Sequence, residues 1–262
     1  CGKTTTAEQK CKSKIKLQDP DTRAGYLQTA KIKPSLLLIG EKPRLIDEWQ
    51  DATVLWDSIR TDIDNTGLDG QYILTGSNSV DDSKIHHTGT GRITRMKMYP
   101  MSLYESHESN GKISLLELFD NPDMDIDGIQ SDASIEQLIF AACRGGWPAS
   151  LKKKTENAQL KVAKDYVNSV CKLDTSKVDG VKRDKTLTKL ILRVYARNIS
   201  TLAKKSTILA DIKANMDTCS DNTLDDYLQA LQKLFVIEDM EAWCPAIRSA
   251  SAIRSGFKRE FT

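Results

Sequence analysis

The sequence predicts an α/β fold, a parallel sheet with helices on both faces, followed by a largely helical C-terminal part. Two observations carry this prediction. Residues 15–17, 44–48 and 71–75 are short apolar runs of strand length, closed by turn residues or carboxylates. Between the second and third lie Val54, Leu55, Ile59 and Ile63, at the spacing of one helix face. Strands alternating with helices in this way build a parallel sheet covered on both sides.

The remaining elements follow in order. Residues 4–12 read as a helix that starts directly after Gly2-Lys3. Residues 34–40 are apolar but bounded by Pro34 and Gly40, and their type stays open. Residues 79–91 are polar and glycine-containing and read as a loop, with 92–98 as the next strand. Residues 120–134, rich in Asp, Pro and Gly, form a surface excursion. A helix over 135–143 stops at Gly145-Gly146. The Lys-rich stretch 152–184 has helical pattern near 160–170 and reads as a lid or connector.

From residue 187 onward three helices are expected. In the first, Leu187, Leu190, Ile191, Val194, Tyr195 and Ile199 form one apolar face, and Ile208, Leu209 and Ile212 start a second, shorter helix. The third, capped by Asp221 or Asn222, turns Leu224, Tyr227, Leu228, Leu231 and Leu234 inward. An extended segment at 235–238 follows. Three helices and a β element outline a winged helix-turn-helix. The expected division is 1–150, a connector over 151–186, and 187–262.

Composition bounds the function. With 262 residues, 39% hydrophobic and 28% charged, the chain is long and apolar enough for a packed core. No apolar run approaches the ~20 residues of a membrane helix, and no signal-peptide pattern opens the chain. A cytoplasmic protein without membrane contact is expected. The six cysteines show no CxxC spacing and read as free thiols in a reducing compartment. Residues 1–150 carry 17 Lys and Arg against 22 Asp and Glu, whereas 151–262 carry 21 against 14. An acidic half beside a basic half suggests modules with different partners.

Four segments carry chemistry. Cys1-Gly2-Lys3-Thr4-Thr5 opens a helix and has the form of the end of a phosphate-binding loop. There backbone N–H groups wrap phosphates, the lysine reaches the β and γ phosphates, and the hydroxyl holds Mg²⁺. The glycine-rich front of such a loop and its strand are not in the sequence, so a truncated first strand is expected. Leu45-Ile46-Asp47-Glu48 has the form of a Walker B strand, with Asp47 for Mg²⁺ and Glu48 as general base toward water. Ile73-Leu74-Thr75-Gly76-Ser77 places a polar residue at the next strand's tip. Thr75 is the choice for sensing the γ-phosphate, with Ser77 and Asn78 as alternatives, although Gly76 also explains a plain turn. Gly91-Arg92-Ile93 offers Arg92 as an arginine finger, in cis or from a neighbour, or as a solvated edge arginine. His86-His87 has one other histidine in the chain, His107, and does not read as a metal site.

These segments, with Tyr99-Pro100-Met101-Ser102-Leu103-Tyr104-Glu105 and Gly145-Gly146-Trp147-Pro148 in the same order, resemble a large family of uncharacterised bacterial and archaeal AAA-type ATP-binding proteins. The resemblance spans nearly the whole chain. It implies an AAA-type P-loop NTPase domain with a three-layer parallel sheet, then a winged helix. A nuclease-like domain would follow, of which residues 257–261 resemble only the first strand. It assigns Gly2, Lys3, Thr4 and Thr5 to the nucleotide, Thr4 and Asp47 to the metal, and Glu48, Thr75 and Arg92 to catalysis.

Two functions are therefore expected. One is Mg²⁺-dependent ATP hydrolysis coupled to a module that binds DNA or protein, with homo-oligomers possible as in AAA-type relatives. The other is a non-enzymatic binding fragment whose nucleotide site is lost by truncation. Asp221, Asp225 and Asp226 at the start of the third C-terminal helix would repel phosphates and oppose entry into a DNA groove.

Overall fold

The computed structural model describes residues 2–77, 89–174, 180–216, 219–240 and 258–261, the last in backbone. The expected loop at 79–91, the pair His86-His87 and Asn78 fall largely or wholly outside these residues. Contacts divide the chain into two compact units, one of residues 3–97 with 170–262 and one of 98–169 with the first two residues.

Within residues 3–97 the order is α1 (Lys3–Glu8), β1 (Ser13–Lys16), α2 (Arg23–Ile32), a 3₁₀ turn (Pro34–Leu38), β2 (Arg44–Asp47), a second 3₁₀ turn (Trp49–Ala52), α3 (Val54–Thr66) and β3 (Tyr72–Thr75). The strands form a parallel sheet in the order β1-β2-β3. Its register aligns Ile15 with Ile46 and Leu74, and Lys16 with Asp47 and Thr75. Side chains alternate between the faces of a strand, so each of these rows lies on one face. The Ile15–Ile46–Leu74 row packs with Leu17, Ala30, Leu37, Leu38, Leu55 and Ile59, which brings α2, the first 3₁₀ turn and α3 onto that face. α1 packs against β2 and β3 outside this cluster. All four residues of β2 are buried, as expected of the middle strand of a covered parallel sheet.

The segment that opens at 34–40 is thus a 3₁₀ turn, with Pro34 at its first position. The expected strand at 92–98 does not form: Arg92 ends a turn and 93–97 are without regular structure. Ile93 packs into the core cluster instead, so its apolar side chain serves packing rather than a sheet ladder.

In residues 98–169 the elements are α4 (Leu115–Asp120), α5 (Ile135–Arg144), α6 (Pro148–Leu151) and α7 (Glu156–Ser169). α5 begins with a capping box: the Ser134 hydroxyl accepts from the Gln137 N–H, and the Gln137 side chain accepts from the Ser134 N–H. Arg144, at its end, forms a two-pronged pair with Glu108 at 2.7 Å on each arm. That guanidinium holds the Glu108 carboxyl below the usual carboxylate range.

A π-helical turn at Val170–Asp174 leads on to α8 (Lys185–Arg197), α9 (Lys205–Lys213), α10 (Asp221–Lys233), β4 (Ile237–Met240) and β5 (Lys258–Phe261). β4 and β5 pair antiparallel. The apolar periodicity of the three helices is met by burial of Leu187, Ile191, Val194, Tyr195, Ile208, Ile212, Leu224, Tyr227 and Leu231, whereas Ile199 lies beyond the end of α8, where the helical period no longer applies, and is 38% exposed. The cap of α10 is Ser220, one residue before the expected Asp221 and two before Asn222; its hydroxyl accepts from the Thr223 N–H at 3.1 Å. Among the described residues no helix is long and apolar enough to cross a membrane. Cys11, Cys143, Cys171 and Cys219 are free thiols.

Candidate functional site

The site forms where α1 meets the C-terminal end of the sheet. Leu45 and Asp47 share one face of β2, opposite to the Ile46 row that faces α2 and α3. Asp47 therefore emerges on the side that α1 covers. There the Thr4 hydroxyl donates to Asp47 Oδ1 at 2.7 Å, across 43 residues of sequence. The Thr75 hydroxyl, level with Asp47 in the register of β3, donates to the same oxygen. Asp47 and Thr75 are both buried. Three residues expected at one site, from three separate elements, thus share one carboxylate oxygen.

α1 is anchored at its far end. Glu8 pairs with Lys14 and Lys16 of β1, each at 2.9 Å. The two ammonium groups hold its carboxyl down to about 2. Gly2, just before α1, has φ +87°, in the left-handed region that glycine enters without a steric penalty. Lys3 is the first residue of α1, where the helix dipole disfavours a cation. Among the described residues its ammonium has no carboxylate partner. Thr5 is exposed on α1.

Glu48 follows Asp47 but leaves the strand. Its backbone is left-handed, with φ 57° and ψ 48°, a conformation that costs a non-glycine residue roughly 1–2 kcal/mol. This break starts the 3₁₀ turn Trp49–Ala52, and the Asp51 N–H donates to the Glu48 carbonyl at 3.1 Å. The Glu48 carboxylate is held on both oxygens. Ser77 Oγ donates to Oε1 at 2.7 Å, and the Gln50 amide donates to Oε2. Segment 75–77 therefore touches both carboxylates, Thr75 on Asp47 and Ser77 on Glu48. Sequence reasoning proposed Ser77 only as a substitute for Thr75 and did not single out Gln50. Its position two residues after Glu48 becomes a signal only once the turn is known.

Arg92 is not brought to this group. Its guanidinium pairs with Asp64, which also pairs with Arg60 at 3.2 Å. Asp64 lies in the last turn of α3, near the start of β3, where the Tyr72 hydroxyl donates to Asp62 at 2.6 Å. Asp47 and Thr75 stand at the opposite, C-terminal end of their strands.

The donor set suits a small hard cation: the hydroxyls of Thr4 and Thr75 and the Asp47 carboxylate are oxygen ligands. Mg²⁺ characteristically takes one or two protein oxygens and completes its shell with water and phosphate. Among the described residues no group of three or more His, Cys, Asp or Glu side chains is placed to hold a metal.

Comparison with known proteins divides the chain. Residues 135–262 match a family model described as a domain of unknown function (DUF8612). No curated protein and no solved structure matches. Residues 1–107 match a family model described as an AAA domain, which supports an AAA-type P-loop ATPase domain in that part of the chain.

Proposed function

We propose that the chain binds ATP with Mg²⁺ between Gly2-Lys3-Thr4 and Asp47-Glu48 and hydrolyses it. The observation that supports this most is the hydrogen bond from Thr4 to Asp47. It joins the end of a phosphate-loop motif to the carboxylate of a Walker B motif, the two groups that share the ion in P-loop ATPases. Mg²⁺, when bound, would neutralise charge on the phosphates. Thr4 and Asp47 would hold it, and Thr75 would orient Asp47. Lys3, without a carboxylate partner among the described residues, would reach the β and γ phosphates. Glu48 takes a proton from water as the water oxygen bonds to the γ-phosphorus. The bond from that phosphorus to the bridging oxygen breaks, and ADP leaves. Arg92, held by Asp64, would serve as a finger toward a neighbouring copy of the chain after releasing that pair.

The decisive experiment compares two variants by calorimetry and phosphate release. Glu48→Gln keeps ATP affinity and loses turnover by about 10²–10⁴-fold, the range for a general base. Lys3→Ala loses affinity. Full turnover in Glu48→Gln rejects Glu48 as the base, and unchanged affinity in Lys3→Ala rejects the phosphate loop.

For the C-terminal part we favour a winged-helix module with a protein partner. The succession of α8, α9, α10 and the antiparallel pair supports the outline. α10 as a groove-reading helix is disfavoured by its acidic first turns. Asp221 and Asp225 are bridged by Lys205 at 2.7 and 2.9 Å, and Asp226 by Arg183 at 2.9 Å. These cations already serve intramolecular pairs and add little attraction for phosphate.

A further inference from the structure

We propose that Gln50 and Ser77 are positioning residues that fix the plane of the Glu48 carboxylate, and that Gly76 lacks a side chain in order to leave room for Gln50. The proposal rests on the reading of Glu48 as the base. The last torsion of a glutamate is broad, so one hydrogen bond leaves the carboxylate free to turn. A donor on each oxygen removes that freedom. Here the two donors come from different elements, Gln50 from the 3₁₀ turn after β2 and Ser77 from the segment after β3. A carboxylate has about four lone-pair sites, so two remain for a water molecule.

The Gln50 amide has one sense in this arrangement. Its nitrogen faces the carboxylate, which can only accept, and its oxygen is buried with no hydrogen-bond partner among the described residues. A Cβ placed on Gly76 would lie 2.7 Å from that oxygen and 3.4 Å from Trp49 Nε1. The atom in the way is the end of a side chain, not backbone. A methyl group at 76 therefore displaces the Gln50 amide rather than the fold. The left-handed backbone at Glu48 completes the device, because it turns the chain so that residue 50 folds back toward residue 48.

The test measures steady-state ATP turnover and calorimetric ATP affinity on the full chain. The variants are Gln50→Ala, Ser77→Ala, Ser77→Thr, Gly76→Ala, Gln50→Ala with Gly76→Ala, and Glu48→Gln as reference. Misplacement of a reacting group by about 1 Å costs up to about 10²-fold. Gln50→Ala and Ser77→Ala are accordingly expected to lower kcat by about 10–100-fold, with affinity held within about twofold. Ser77→Thr, which keeps the hydroxyl, recovers most of the loss. Gly76→Ala loses as much as Gln50→Ala and adds nothing in the Gln50→Ala background, because both act through one amide. Wild-type kcat in Gln50→Ala and Ser77→Ala, with Glu48→Gln inactive, overturns the positioning roles and leaves the base in place. Full activity of Glu48→Gln overturns both readings together. Additive losses for Gly76→Ala and Gln50→Ala overturn the role of Gly76.

Discussion

Residues 3–97 and residues 98–169 hold their shape by different means. In the first stretch the middle strand and the inner face of α3 are withdrawn from water: Leu45, Ile46 and Leu55 are 0% exposed. In the second, Leu116 and Ile135 are 72% exposed and Phe119 76%. Beside the packing of Trp147 on Tyr166, polar contacts add to the local order there, among them the capping box of α5 and the Arg144–Glu108 pair, whose arginine side chain is only 5% exposed. Burial is non-directional and its contribution grows with the apolar area removed from water. A cap or an ion pair contributes less but fixes one geometry. The candidate site sits on the part whose frame is made by burial, which is where a carboxylate must stay in register with its neighbours.

The largest effect that separates the two regions is a truncation in the sheet. Ile46→Ala is expected to cost about 2–5 kcal/mol in denaturant unfolding, the range for a fully buried isoleucine. Leu116→Ala and Phe119→Ala are expected to change stability by no more than about 0.5 kcal/mol. Equal losses in the two regions would mean that the apolar side chains of 98–169 are covered in solution. A middle effect comes from Arg144→Ala. It removes both arms of the pair with Glu108 and is expected to cost about 1–3 kcal/mol. It should speed proteolysis within 98–169 while the unfolding of the sheet stays as it was; loss of both together would deny the two regions separate frames.

The smallest effect is acidic. The Glu8 carboxyl titrates near 4.5 when free and is held to about 2 by Lys14 and Lys16. A lowered carboxyl stabilises the fold above its unfolded value, and that contribution disappears as pH falls through the folded value. Glu8→Gln should therefore flatten the loss of stability between pH 4.5 and about 2. The pair is exposed and screened by salt, so the change is small. An unaltered acid limb would show that α1 is held by packing alone.

The legible parts of this molecule are those in which one residue type at one position needs one kind of neighbour. Asp47 at the end of an apolar strand, a hydroxyl at the start of a helix and Thr75 at the tip of the next strand are found together, on the strength of strand length and motif spacing. The alternation within β2 also fixes which face Asp47 takes. Other features depend on tertiary surroundings. The pairing of Gln50 with Glu48 follows from a left-handed residue that no local preference announces. Ile93 has the side chain of a strand residue, yet its place in the core ends the ladder at β3 among the described residues. Ser220 in place of Asp221 is a shift of one position between residues that cap nearly equally well. The exposure of Leu116 and Phe119 was not legible at all, because periodicity records which side of a helix is apolar and not whether anything lies against it.

The backbone at Glu48 has a consequence for the history and redesign of the chain. A glycine there would relax the peptide geometry, and an asparagine would relax it in part, so selection for a sturdier molecule would favour replacing this glutamate. A screen for stability alone would therefore favour glycine at position 48, and under the proposal that Glu48 is the base the sturdier variant would be the one that no longer turns over.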